Sequence, residues 1–464
     1  MRSLLLVSLV VGLAVPGSPA CAQPPAAKTG IEQAEDPAGP AWWHVLGDPI
    51  LASIVERART DGLTVEIAAA RRDQARSVAR STRAALLPSF GASAGAGAVR
   101  QSLEDPAIRP FSRFPGFERD VQRYDARITA QWEVDLFGAG PRIRAARDRE
   151  EAMRAELEAA RVAVAADAAL AYFNLRELQA RIGIAQARSA SLARQRTALR
   201  LRVAAGTVAR LDLDRLDGEA ESAGAAVPVL QALAAGEEAR LGVLVADRAL
   251  AAEAGTADPP SVIANPASLV PDMLQVSIAR RPDVRAAELR ARAADADISV
   301  ARSARWPRLT LTGLIATIAT APASLFTSAA TAAQGIGGIG LNLFDFGRID
   351  AAIAGARATH REALARYRLT ALQAQAEVET AAVALVRRRQ EAEYQAAAAM
   401  SFTRAETTAR RTYDAGALDL TVLLDTERGA LQARENAILA QTSARRALVD
   451  LLRATAGSIS AAAS

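Results

Sequence analysis

The sequence predicts an α+β chain in which two β-hairpins adjoin one end of four very long helices, with the whole plan written twice. Three observations predict it. "WEVDLFG" at Trp132–Gly138 has a counterpart in "LNLFDFG" at Leu341–Gly347, with the closing Phe-Gly displaced by 209 residues (138 to 347). Each copy closes a segment of alternating or Gly-rich character, the pattern of a strand with two different faces. Each is followed by a proline-poor helical run far too long to wrap one compact core.

Taken in order, the chain begins "MRSLLLVSLVVGLAVPGSPACAQPP". Arg2, an apolar run from Leu4 to Val15 and small residues at Ala20–Ala22 predict a signal peptide over residues 1–22, so the mature chain is expected to be exported. No later stretch is apolar for long enough to form a membrane-spanning helix. Cys21 is the only cysteine. Either it is the acylated, palmitate-bearing first residue of a lipoprotein, or it leaves with the leader when cleavage follows Ala22. Residues 23–254 are expected to form the first repeat, 255–271 a Pro-rich linker, 272–456 the second repeat and 457–464 a tail.

Within each repeat a short helix comes first, ending at Leu87-Pro88 and again at Trp306-Pro307; "SVARS" occurs in both, at Ser77 and Ser299. Strands are expected at Ser89–Arg100 and Tyr124–Phe137, then at Arg308–Ala319 and Gln334–Phe346. In the second of these, Trp132, Val134 and Leu136 share one face with Tyr124, Ala126, Ile128 and Ala130. Gln131, Glu133 and Asp135 share the other with Asp125, Arg127 and Thr129. One side thus meets an apolar medium and the other meets water. Ile339, Leu341 and Leu343 are the matching apolar series of the fourth strand. The long helices follow. Arg142 to Ala205 contains no proline and spans about 96 Å at roughly 1.5 Å per residue. The heptad series Leu157, Val164, Ala171, Leu178, Ala185, Leu192, Leu199 marks a coiled-coil seam. The adjacent series from Arg161 to Val203 is mixed, which predicts more than one packing neighbour. Gly206 breaks the run and a second helix returns. Ile349 to Ala415 and Gly416 repeat the pattern, with the two glycines 210 residues apart (206 to 416).

Composition narrows the function classes. Aromatics are only 4% of the chain and alanine is abundant, which suits thin, closely packed helices better than a large globular core. The net charge is +5, but the arginines are interleaved with acids along the helices, so no nucleic-acid surface is expected. Two histidines, His44 and His360, and one cysteine offer no metal constellation and no catalytic triad. No catalytic residue, metal or cofactor is expected, and the chain is not read as an enzyme.

Four strands cannot close a barrel. Open edges in lipid would leave backbone groups unpaired at several kcal/mol each. In an exported chain the alternating strands favour an outer-membrane β-barrel, completed by other copies of the chain. Two copies give eight strands around an interior filled by side chains, and three give twelve strands around a hollow one.

These segments closely resemble the outer-membrane efflux family typified by TolC and OprM, in particular its NodT-like branch. The resemblance covers essentially the whole mature chain and is carried by "AWWHVLGDPIL", "WEVDLFG", "ARRPDVRAAE" (Ala279–Glu288), "SARWPRLTLTG", "FDFGRI" and "YDAGALDLTVLLDTE". It implies a homotrimer with a 12-strand outer-membrane barrel continuous with a long periplasmic α-helical barrel. It implies an exit duct for drugs, toxic compounds or metals, docked through a periplasmic adaptor onto an inner-membrane pump, usually a proton-driven one. Members that serve type I protein secretion share the fold, and a purely structural periplasmic coiled coil is the remaining alternative. By the resemblance, adaptor docking falls at Gly206, Thr207, Gly416 and Ala417. The periplasmic constriction falls at Asp425, with Val422 where some relatives carry a second acidic tier. A latch pairs Tyr413 with Asp212, while Leu418 stands where a reinforcing arginine occurs. Outer-membrane lipid is met by Trp132, Val134 and Leu136. The C-terminus lacks the Gly-Gly-Gly-Trp ending common in this branch.

Overall fold

Four long helices, four strands and shorter helices make up the computed structural model, which describes residues 42–256, 278 and 280–456. The signal peptide with Cys21, most of the linker and the tail 457–464 lie outside the described residues. The described chain runs α1 (Trp42–Val45), α2 (Pro49–Asp61), α3 (Leu63–Ala84), β1 (Ser89–Arg100), β2 (Asp120–Val134), α4 (Ala139–Ala204), α5 (Arg210–Val245) and α6 (Arg248–Thr256). After the linker come α7 (Pro282–Ser303), β3 (Arg308–Ala319), β4 (Thr331–Gly340), α8 (Arg348–Asp414) and α9 (Leu420–Ala454).

The repeat is visible in the element lengths. α3 and α7 each hold 22 residues, β1 and β3 each hold 12, and both pairs start 219 residues apart (63 to 282, 89 to 308). The "SVARS" match at 77 and 299 implies 222, so it is out of register by three residues, close to one helical turn, and is a coincidence of composition. α4 and α8 hold 66 and 67 residues, each about 100 Å at 1.5 Å per residue. α4 begins at Ala139, ahead of Pro141, because first-turn N–H groups have no intrahelical acceptor and a proline there loses nothing.

The four strands form one antiparallel sheet in the order β1-β2-β3-β4, so β1 and β4 are its open edges. β2 pairs with β3 as far as Val134↔Leu309, and β4 pairs with β3 as far as Gly340↔Arg308. Both strands therefore end sooner than alternation alone suggests. Leu136 lies in the turn after β2, and Leu341 and Leu343 lie beyond β4. Pairing stops where the partner β3 starts, and a period-two pattern carries no information about that.

The heptad seam is buried as its spacing requires. Leu157, Val164, Ala171, Leu178, Leu192 and Leu199 are all buried, while Ala185 is half-buried. The main core gathers around the middle of α4, on which α2, the end of α5 and the end of α9 pack, with α1 joined to it through α2 and the middle of α8 through α9. Its anchor is polar. One Asp48 oxygen caps α2 by accepting from Ile50 and Leu51 N–H at 3.0 and 3.1 Å, and the other accepts the Tyr172 hydroxyl at 2.7 Å. Burial first, and then that bond to Asp48, raise the Tyr172 pKa far above the usual phenol range.

Candidate functional site

Both long hairpins turn by the same device. Gly206 and Gly416 adopt left-handed backbone at φ 71° and 76°, a conformation glycine reaches without Cβ strain. Gly206 N–H bonds to Val203 C=O and Thr207 N–H to Arg202 C=O; Gly416 bonds to Tyr413 and Ala417 to Thr412. These are two Schellman caps with identical bond patterns, and they leave all four residues exposed. The returning helices differ: Asp419 caps α9 by accepting from Thr421 N–H at 2.8 Å, whereas Ala209 gives α5 no side-chain cap. Asp212 sits in the first turn of α5, where a carboxylate favours the helix dipole.

The tips of the two hairpins are joined, though not by the expected pair. No hydrogen bond links Tyr413 to Asp212 within the chain. The Tyr413 ring instead lies 5.8 Å from the Arg202 guanidinium, a cation–π approach from α8 to α4. Two carboxylates that sequence reasoning missed make the connection. Glu427 of α9 is buried and accepts from Ser191 Oγ at 2.9 Å and Gln195 Nε2 at 2.5 Å, both on α4. Its other oxygen pairs with Arg410 of α8. Glu219 of α5 accepts from Arg428 Nε and Nη2 of α9 at 3.0 and 2.9 Å and from Arg188 Nη2 of α4 at 3.3 Å. The Arg428 bonds outweigh the partial burial of Glu219 and hold its carboxyl below the usual range. Glu427 had a readable signal: it interrupts the buried stripe Leu423, Ala430, Ala437 at a core position, and a charge there must be paired. Asp425, two residues away, points the other way. Its side chain is 83% exposed, with Arg428 Nη1 at 3.6 Å as its ion-pair partner.

At the other end β2 separates its two faces by chemistry, while β3 and β4 add Leu314, Ile318 and Ile336 to the side that carries the β2 polar residues. The register aligns Phe90, Ala130, Gly313 and Gly335 in one row, Ala92, Ile128, Ile315 and Ala333 in the next, and places Trp132 opposite Leu311. Many of the large apolar side chains on this face are exposed in the single chain, Phe90 at 76%. Trp132 also donates its indole N–H to Leu86 C=O at 2.9 Å, fixing the strand to the end of the preceding helix. The opposite face carries Ser93, Asp125, Arg127, Thr129, Gln131 and Glu133, with Glu133 paired to Arg308 at 3.0 Å. Each strand turns into its helix on an aspartate cap: Asp135 accepts from Gly138 N–H at 2.7 Å, and Asp345 from Gly347 and Ile349 N–H at 3.1 and 2.8 Å.

A sheet with one strongly apolar face, a second face that carries the β2 charges, and open edges, carried on two helices about 100 Å long that each pair with a returning helix about half as long, defines a β-to-α membrane protein whose helical stalk extends from the sheet. A sequence profile described as outer membrane efflux protein matches residues 55–247 and 273–457, one segment per repeat, and the chain belongs to that family. It resembles the pyoverdine export outer membrane protein OpmQ of Pseudomonas putida, with 29% identity over 90% of this chain and 87% of the relative. It resembles outer membrane protein OprJ of Pseudomonas aeruginosa, with 29% identity over 90% of this chain and 86% of that one. Nodulation protein T of Rhizobium leguminosarum is 28% identical over 68% of this chain and 65% of its own. Among solved structures, the outer-membrane channel OprN superposes with a TM-score of 0.76 at 29% identity, covering 90% of this chain and 92% of that one. The Campylobacter jejuni CmeC outer membrane channel superposes at 0.79 with 21% identity, covering 91% and 89%, and shares the fold. The chain is an outer-membrane efflux protein with an α+β fold of two repeats.

Proposed function

We propose that three copies of this chain close their sheets into one twelve-stranded outer-membrane barrel, continuous with a periplasmic helical tube, and that the trimer is the passive exit duct of a tripartite efflux system for small molecules. The observation that carries this reading is the four-stranded sheet with an apolar face, a second face that carries the β2 charges, and two open edges. Lipid cannot satisfy the edge N–H and C=O groups, whereas strands of neighbouring copies can. Two copies would give a barrel plugged by its own side chains, and three leave a passage. Trp132 and Val134 then face lipid, and Gln131 and Glu133 face the lumen. Leu136 takes its place at the strand–helix junction rather than on the barrel wall.

At the other end, the Gly206–Thr207 and Gly416–Ala417 turns offer exposed, closely matched tips to a periplasmic adaptor, which connects the duct to a proton-driven inner-membrane pump. Asp425 narrows the tube just inside those tips. The two repeats are drawn at 23–254 and 272–456, with Cys21 as the candidate lipid attachment. Relatives named for pyoverdine export and for toluene efflux support small-molecule cargo, with the choice made by the pump rather than by the duct. Native mass spectrometry of the detergent-extracted protein tests the reading. Three copies and a stable conductance in planar bilayers are expected; a water-soluble monomer would overturn it.

A further inference from the structure

We propose that the segment after β4, Leu341–Phe346, packs on Leu87–Pro88 of a second copy of this chain; the proposal rests on the ring of copies proposed above and names the contact that closes it at the strand–helix junction. Within one chain the corresponding junction is already covered. Phe137, after β2, stacks on Trp306, just before β3, with ring centroids 5.1 Å apart and planes at 28°. The repeat carries this pair to a second place. Phe137 corresponds to Phe346 by the 209-residue displacement of Gly138 to Gly347, and Trp306 corresponds to Leu87 by the 219-residue displacement of β1 to β3. Leu87 precedes edge strand β1 and Phe346 follows edge strand β4, at the same end of the sheet but on opposite edges. One chain cannot bring them together, and two adjacent chains can.

Three further features agree. Phe346 and Leu343 are each 90% exposed and Phe344 is 77% exposed, an uncovered apolar group on one edge, and Leu87 on the other edge is 65% exposed. Phe346 also has φ 56°, a left-handed conformation that is a genuine outlier for a bulky side chain and persists only where the surroundings enforce it. Inside the chain those surroundings are the Phe344 ring, edge-on at 4.6 Å, and the Asp345 cap. Finally, the helix seam leading away from the junction changes character between the two places. Arg149 of α4 pairs with Asp297 of α7 within the chain. Their counterparts are Ala358 of α8 and Val78 of α3, both exposed. The repeated seam lacks the counterpart of this ion pair, so apolar contact at the junction takes a larger share in holding the neighbours in register.

The test uses the full chain with Cys21→Ser, carrying Leu87→Cys and Phe346→Cys, treated in detergent with a short bis-maleimide. Covalent dimers and trimers are expected on denaturing gels, and neither single-cysteine variant should give them. The pair Phe137→Cys and Trp306→Cys should link within one chain and leave its mass class unchanged. If the Leu87/Phe346 pair gives no intermolecular product while native mass still reads three copies, the junction faces lipid or another partner and the proposal is overturned with the ring intact. If native mass reads one copy, the ring itself fails. As a second readout, Phe346→Ala should lower the detergent concentration at which copies separate while leaving helix content unchanged; an unaltered threshold would overturn the contact.

Discussion

Glu427→Ala should loosen the joint between the two hairpins near their tips without disturbing the core. The substitution removes the acceptor of Ser191 Oγ and Gln195 Nε2, each worth about 1 kcal/mol in a partly buried setting. Arg410 loses its closest partner, but its side chain is 48% exposed and Glu406 remains at 3.5 Å, so that part costs at most about 1 kcal/mol after solvent screening. The sum is about 2–3 kcal/mol, or roughly a 30- to 140-fold increase in local opening at about 1.4 kcal/mol per decade. Amide hydrogen exchange resolved by segment reads it directly. Amides from Arg188 to Ala205 should exchange faster by that factor, while those from Val164 to Leu178, inside the main core, should keep their rates. Adding Ser191→Ala to the Glu427→Ala chain should change little, since its partner is already gone. Unchanged exchange at 188–205, or an equal rise in both segments, would refute Glu427 as a local clamp.

Gly138→Ala should lower the thermal midpoint, because the new Cβ would stand 2.5 Å from Ser303 Oγ and closer still to the Asp135 carboxylate; overpacking of this kind costs about 1–3 kcal/mol. Gly140→Ala, with open space around it, should be neutral or slightly stabilising in the same scan. The Glu219–Arg428 joint should be pH-sensitive: a folded carboxyl held below its unfolded value of about 4.3 contributes fully above that pH and is lost as pH falls through the folded value. Tip exchange should therefore accelerate below about pH 4, and Glu219→Gln should flatten that profile and weaken the joint at neutral pH. Asp425→Asn should abolish block of single-channel current by multivalent cations with little change in resting conductance; block that persists would remove Asp425 from the constriction.

Much of this was legible in the residues, and the parts that were not have physical reasons. β1 and β3 carry the bounds that the proline before each and the pattern after it imply. The tip glycines were legible because only a left-handed residue ends a helix in this way. The ends of β2 and β4 were hidden because pairing depends on where β3 starts. The joint between the hairpins was hidden for a different reason: Ser191, Gln195 and Glu427 are 232 or more residues apart in the longest links, and no periodicity within one helix reveals a partner on another. Only the charge interrupting the α9 stripe hinted that something buried must answer it.

Asp425 and Glu427 show how one turn of helix can hold two carboxylates with opposite duties. At 100° per residue they stand about 200° apart on α9, so a turn that buries one exposes the other. Glu427 is tied to α4 and α8, and Asp425 is left 83% exposed. Arg428 links the two sides, gripping Glu219 of α5 while approaching Asp425 at 3.6 Å. In the proposed duct the constriction and the clamp are therefore one rigid element. Rotating α9 to withdraw Asp425 from the axis must strip Glu427 of Ser191 and Gln195, or drag α4 with it. Dilation that keeps the clamp requires the hairpins to move together, as paired coils. Dilation that breaks it requires something outside the chain to compensate the lost bonds, and the exposed Gly206 and Gly416 turns are the nearest surfaces on which an adaptor could do so.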